Sequence, residues 1–165
     1  MPGFCRQLKR KGIARMEFNF EKILGKSIDE LEVGDEASFA KTITEADVSL
    51  FCGVVGDFNP LLVNDRYAKV ARYTQPIVPG LLVASLISNV VGNFLPGPGA
   101  IYASQDLDFI NPVFIGDTIK AIVHVESVIP ERNRIKIRTY CLNQFKEIVV
   151  DGTAIVLPAP KKTSE

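Results

Sequence analysis

Asp57 is the side chain here with most to offer proton transfer, and it sits in the run Gly56-Asp57-Phe58-Asn59-Pro60. A carboxylate held in a tight turn can act as general base or acid when a substrate proton comes within hydrogen-bond reach. The same residues also make a turn by their own chemistry. An Asn before Pro avoids the helical region, and Asp and Asn side chains cap nearby amides. On these residues alone the turn role of Asp57 outweighs a catalytic one. The single histidine, His124, shares a strand face with Lys120 and Glu126 and is expected to be solvated. Cys5, Cys52 and Cys141 are odd in number, widely spaced and outside any C-x-x-C pattern, which argues against a disulfide framework and against zinc. Cys52 and Cys141 fall in apolar patterns and read as small buried hydrophobes. No metal-ligand spacing is present and no cofactor is expected. Gly92 and Gly97-Pro98-Gly99 punctuate loops and lack the strand-to-helix setting of a phosphate-binding fingerprint.

The elements around Asp57 are legible from periodicity. Thr44-Glu45-Ala46-Asp47 has the form of a capping box, with Thr44 able to accept from the third amide of a helix over Glu45 to about Val55. Val48, Phe51, Cys52 and Val55 share one face of that helix, which delivers the chain to Gly56-Asp57. A short helix is expected over Asp65 to Val70. Leu81 to Val91 is apolar nearly all round, as in a helix enclosed by protein. Strands are expected over Ala37 to Ile43, Ala100 to Phe109, Thr118 to Val128, Arg134 to Asn143 and Glu147 to Leu157. In the third of these, Ile119, Ala121, Val123 and Val125 face one way and Lys120, His124 and Glu126 the other. Ser27 to Glu32 shows no clean turn motif. The expected architecture is α+β, an antiparallel sheet of about five strands with a central helix.

A chain of 165 residues with 47% hydrophobic content can bury one sizeable core and is too short for two ordinary domains. Residues 16–157 are expected to form that domain, with 1–15 a basic arm and 158–165 a polar tail. Lys plus Arg and Asp plus Glu both number 19, which gives no electrostatic case for nucleic acid or an anionic membrane as partner. Ser85, Ser88 and Asn89 interrupt the Leu81 to Val91 run well short of the ~20 residues that span a bilayer. The arm carries Arg6, Lys9, Arg10, Lys11 and Arg15 without the apolar stretch of a secretory signal. A cytoplasmic setting is expected, or an organelle matrix if the arm is a transit peptide; Met16 offers an alternative start.

Several motifs in order carry a family resemblance. Gly56-Asp57-Phe58-Asn59-Pro60-Leu61-Leu62 resembles the signature G-D-x-N-P-[LIV]-H of the MaoC-like family of (R)-specific enoyl-CoA hydratases and 3-hydroxyacyl thioester dehydratases, with Leu62 in the His slot. Tyr67-Ala68 follows at the family's spacing. Pro76-Ile77-Val78-Pro79-Gly80-Leu81-Leu82 then resembles P-I-V-H-G-M-L, again without its His. Leu95-Pro96-Gly97-Pro98-Gly99, Gln105-Asp106-Leu107-Asp108-Phe109, Pro112-Val113 and Gly116-Asp117 resemble the family's central-strand segment, so the likeness covers roughly residues 35 to 157.

The resemblance implies a hotdog fold, the sheet wrapped around the apolar helix, and an acyl-CoA or acyl-carrier-protein thioester bound along that helix. It implies Asp57 as the catalytic carboxylate, Gly80 as the backbone N–H donor to the thioester oxygen, and Ser88 as the hydroxyl bonded to the carboxylate. Asn59, Leu62 and Leu81 are the implied substrate neighbours. The reaction is reversible hydration of a trans-2-enoyl group: water loses a proton as it attacks C3, C2 gains one, and the thioester oxygen needs stabilisation. Leucine can neither accept a proton nor orient water, so the missing His is expected to slow the reaction by ~10²–10⁴. The alternatives are a non-catalytic thioester-binding subunit of a heteromeric dehydratase and a hotdog thioesterase. A homodimer or an assembly of dimers is implied, because such a sheet leaves edges to be paired.

Overall fold

A computed structural model describes residues 20–161. The basic stretch 1–15, Met16 and residues 162–165 lie outside them. Period-two patterning becomes five strands: β1 (Glu36–Thr42), β2 (Ile101–Phe109), β3 (Thr118–Ile129), β4 (Arg134–Leu142) and β5 (Ile148–Leu157). All neighbours are antiparallel, in the order β1-β3-β4-β5-β2, so β1 and β2 are the edges. Register rows carry the alternation across the sheet. Val125 faces Ile137, which faces Ala154, which faces Gln105; Val123 faces Thr139, which faces Gly152, which faces Leu107. Ile119, Ala121, Val123 and Val125 are all fully buried on this inner face.

The helix that the inner face receives is α4 (Gly80–Asn93). Val83, Leu86, Ile87, Val90 and Val91 recur at helical spacing and are buried, and α4 packs against every strand. Burying a side chain of this size stabilises by ~1.5–3 kcal/mol, so this stripe and the sheet face opposite it dominate the core. The enclosure is incomplete: Leu81, Ser85 and Ser88 are exposed on the remaining flank. This is the α+β hotdog arrangement that the resemblance implies.

α1 (Glu45–Val55) starts as its residues direct. The Thr44 hydroxyl accepts from Asp47 N at 3.3 Å, and Thr44 N donates to Asp47 Oδ2 at 2.9 Å. Val48 and Cys52 are buried, but Val55 is 54% exposed. The helix ends immediately after it at Gly56, whose φ of 74° turns the chain away from the core. One turn of helix not expected from periodicity, α2 (Pro60–Val63), precedes α3 (Asp65–Val70). The Ser27 segment also holds more order than its residues suggested. Ser27 N donates to Glu30 Oε2 at 2.8 Å, an S-x-x-E cap over a 3-10 turn, Ile28–Glu30. Pro158 and Ala159, at the start of the stretch read as a polar tail, are buried, and Ala159 forms a parallel bridge with Ser27. No helix among the described residues is long and apolar enough to cross a membrane.

Candidate active site

Gly80 opens α4, and its amide and that of Leu81 stand in the first turn, where a helix offers no acceptor. The segment before it is pinned: Val78 N donates to Val113 O at 2.7 Å and Ile77 N to Leu61 O at 3.3 Å. Space at Gly80 is tight. A Cβ there would come within 2.7 Å of the Phe109 ring, so only glycine admits that ring against the helix start. A cleft of about 390 Å³ opens beside this contact, with Gly80, Leu81, Phe109, Ile110, Tyr73 and Asn111 among its walls. Its lining is largely apolar, and Leu81, 63% exposed, forms part of its rim. An apolar cleft at helix amides suits a chain with one carbonyl oxygen to be held.

Asp57 follows the αL residue Gly56 and is exposed; its Oδ1 accepts Asn59 N at 3.2 Å. Asn59 Oδ1 in turn accepts Leu61 N at 3.0 Å and caps α2, so the Asn59 side chain holds the turn. Leu62 points the other way. It is 6% exposed, part of the core, and walls a hollow of about 460 Å³ with Val48, Val63, Glu45, Ser49 and Gln75. Ser88 lines a third hollow, of about 300 Å³, with Ala84, Tyr102, Gln105 and Leu107. The fold therefore joins Gly80 with Leu81, and Asp57 with Asn59, while Leu62 and Ser88 open onto separate spaces. Asp57 lines none of the three hollows. Phe109 and Gln105 were not singled out for chemistry from sequence; the only signal available was their place in Gln105-Asp106-Leu107-Asp108-Phe109.

The remaining reactive groups have quieter surroundings. Burial pushes the Cys52 thiol up, with the Asp57 charge adding to it, and burial alone pushes Cys141 up to about 12. Neither is a poised thiolate. His124 Nδ1 lies 3.7 Å from Glu36 Oε2 on the outer sheet face, beside the Arg138–Asp151 and Lys136–Glu126 pairs. Among the described residues no group of His, Cys and carboxylates could hold a metal.

A family model described as MaoC like domain matches residues 30–152. An (R)-specific enoyl-CoA hydratase of Rhodospirillum rubrum is 42% identical over 131 residues, which span 79% of this chain and 91% of that protein. A 3-hydroxybutyryl-CoA dehydratase of Methylorubrum extorquens is 42% identical over 134 residues, 81% of this chain and 84% of that one. Among solved structures, an unliganded R-hydratase from Pseudomonas aeruginosa superposes with a TM-score of 0.79 at 35% identity, covering 87% of this chain and 94% of its own.

Proposed function

Because this chain belongs to the MaoC-like domain family, we propose that it is a hydro-lyase that adds water reversibly to a trans-2-enoyl thioester, giving a 3-hydroxyacyl thioester of CoA or acyl-carrier protein. The observation that carries this is the 42% identity, over 79% of the chain, to an (R)-specific enoyl-CoA hydratase. The thioester oxygen lies at the Gly80 amide, where the first turn of α4 supplies an unused donor. Asp57 takes a proton from water as its oxygen bonds to C3, and the same carboxyl returns a proton to C2, so one group closes the proton balance. Ser88 lines a different hollow from any that Asp57 reaches within one chain, so its hydroxyl donates to that carboxylate across the contact with a second copy of the chain. Asn59 holds the turn that carries Asp57, and Leu81 borders the thioester.

The site is completed by a second copy of the chain. Exposure of Val54, Val55 and Phe58 around Asp57 in the single chain, with Leu81 and Phe109 open at the cleft, supports this reading, since large apolar side chains left exposed together mark an interface. Leu62 stands where the family has His, and its burial in the core favours a second reading, a thioester-binding subunit whose catalytic partner is another chain. A spectrophotometric assay of the purified protein with crotonyl-CoA and longer 2-enoyl-CoA thioesters tests the first reading. Loss of the conjugated absorbance, abolished by Asp57→Asn, is the expected result. Binding of the thioesters without turnover would select the subunit reading, and absence of both would reject the site altogether.

A further inference from the structure

Tyr102 and Gln105 both face inward from β2, although a regular strand sends residues three apart to opposite faces. Tyr102 pairs with buried Val156 and Gln105 with buried Ala154, and the register shift between Tyr102 and Ser104 is the bulge that re-aims them. Gln105 then reaches across β5. Its Nε2 donates to Asp106 O at 2.8 Å, to Thr139 Oγ1 at 3.0 Å and to Thr153 O at 3.1 Å. Thr139 is fully buried on β4, and Gly152 on β5 lies between Thr139 and Leu107, paired with each. A Cβ at Gly152 would collide with the Asp106 carbonyl oxygen, the same atom that accepts from Gln105. Glycine there is what leaves the amide its seat.

The seat also fixes which way the amide faces. Carbonyl oxygens only accept, so the nitrogen must lie toward them and Oε1 away. Oε1 accepts no hydrogen bond from any described residue, and no side-chain oxygen among them is both buried and unpartnered, so Oε1 reaches open space. Gln105 walls the hollow that also holds Ser88, Tyr102, Ala84 and Leu107. Burial pushes the Tyr102 phenol up to about 12, so it remains a donor in the same space. The hollow thus presents one fixed acceptor, Gln105 Oε1, beside the Tyr102, Ser88 and Ser104 hydroxyls; a ligand hydroxyl can donate to that acceptor, whereas a ketone leaves it unpaired.

We propose that Gln105 is a specificity-determining residue of the thioester site, its Oε1 accepting the hydroxyl hydrogen of a 3-hydroxyacyl group lodged beside Ser88 and so favouring that group over a 3-oxoacyl one. The assignment rests on the thioester reading above and adds to it a discrimination set by this hollow. Calorimetric titration of the wild-type protein with (R)-3-hydroxybutyryl-CoA, acetoacetyl-CoA and butyryl-CoA tests it without requiring turnover. The hydroxy thioester is expected to bind about tenfold more tightly than the oxo thioester, the worth of one buried hydrogen bond left unmade. Gln105→Leu should bring the hydroxy ligand down to the affinity of butyryl-CoA. Thr139→Val, which removes one acceptor from the seat while conserving volume, should weaken the preference part of the way. Equal wild-type affinities for the hydroxy and oxo thioesters, or a preference that survives Gln105→Leu, would overturn the assignment while leaving the thioester reading standing. No binding of any of the three would remove both.

Discussion

Leu62 is the residue on which the chemistry turns. Its side chain is core, and the imidazole that the family motif would place there enters a hollow bordered by Glu45, Ser49 and Gln75 rather than bulk water. Leu62→His is therefore expected to have two measurable effects of opposite value. Crotonyl-CoA hydration should rise by roughly 10²–10⁴, the contribution of a positioned acid–base group, and Asp57→Asn in the same background should cancel the gain. Stability should fall by about 1–3 kcal/mol in denaturant titration, because a polar imidazole replaces a buried aliphatic side chain. A loss of stability with no gain in rate would place the Asp57 turn out of reach of the Leu62 hollow. The Asp57-Asn59 turn and the helix that Gly80 opens were legible in the sequence because each lies in a contiguous motif. The Gln105 seat was not, since it depends on a bulge and on contacts to Thr139 and Thr153, 34 and 48 positions away.

At the level of elements, α1 matters because it delivers Asp57, and its start is held by a few polar atoms. Asp47 Oδ2 accepts from Thr44 N at 2.9 Å and Thr44 Oγ1 at 2.7 Å, and lies 3.0 Å from Lys41 Nζ. The Thr44 hydroxyl first, then its amide and Lys41, hold the Asp47 carboxyl down at about 2. A carboxyl lowered on folding contributes stability above its unfolded value of 3.8 and loses it as pH falls toward about 2. Asp47→Asn should therefore destabilise at neutral pH, with the gap to wild type closing between about pH 4 and pH 2 in thermal melts. Thr44→Ala should cost about 0.5–2 kcal/mol in denaturant titration at neutral pH. This cap was legible from Thr44-Glu45-Ala46-Asp47, as were the three late strands, because period two survives where one face is buried; in β2 the bulge after Tyr102 interrupts it. The single turn α2 escaped, for four residues carry no periodicity, and Asn59 and Pro60 encode it locally instead. Val55 was misplaced for a related reason: spacing assigns a face, but only the chain's departure at Gly56 decides whether the last residue of that face is covered.

Among the described residues both sheet edges, β1 and β2, lack a partner strand, and Ile101 and Phe109 at the ends of β2 are more than half exposed. Edges of this length invite pairing with another chain. Sedimentation at micromolar concentration should return a dimer or a multiple of it, and a monomer there would remove the second copy from the site. Ser27 and Ala159, near opposite ends of the described chain, lie side by side as a β-bridge, and Lys161 Nζ meets Asp29 Oδ2 at 2.5 Å. Entry to and exit from the fold are thus adjacent, so the order of the elements along the chain is separable from their arrangement in space. A circular permutant, closed by a short Gly-Ser bridge and reopened at the Glu131–Asn133 turn, should keep the native far-ultraviolet spectrum and cooperative melting. The same adjacency lets such a unit sit within a longer polypeptide as an insert, with its host continuing from nearly the point at which it was interrupted.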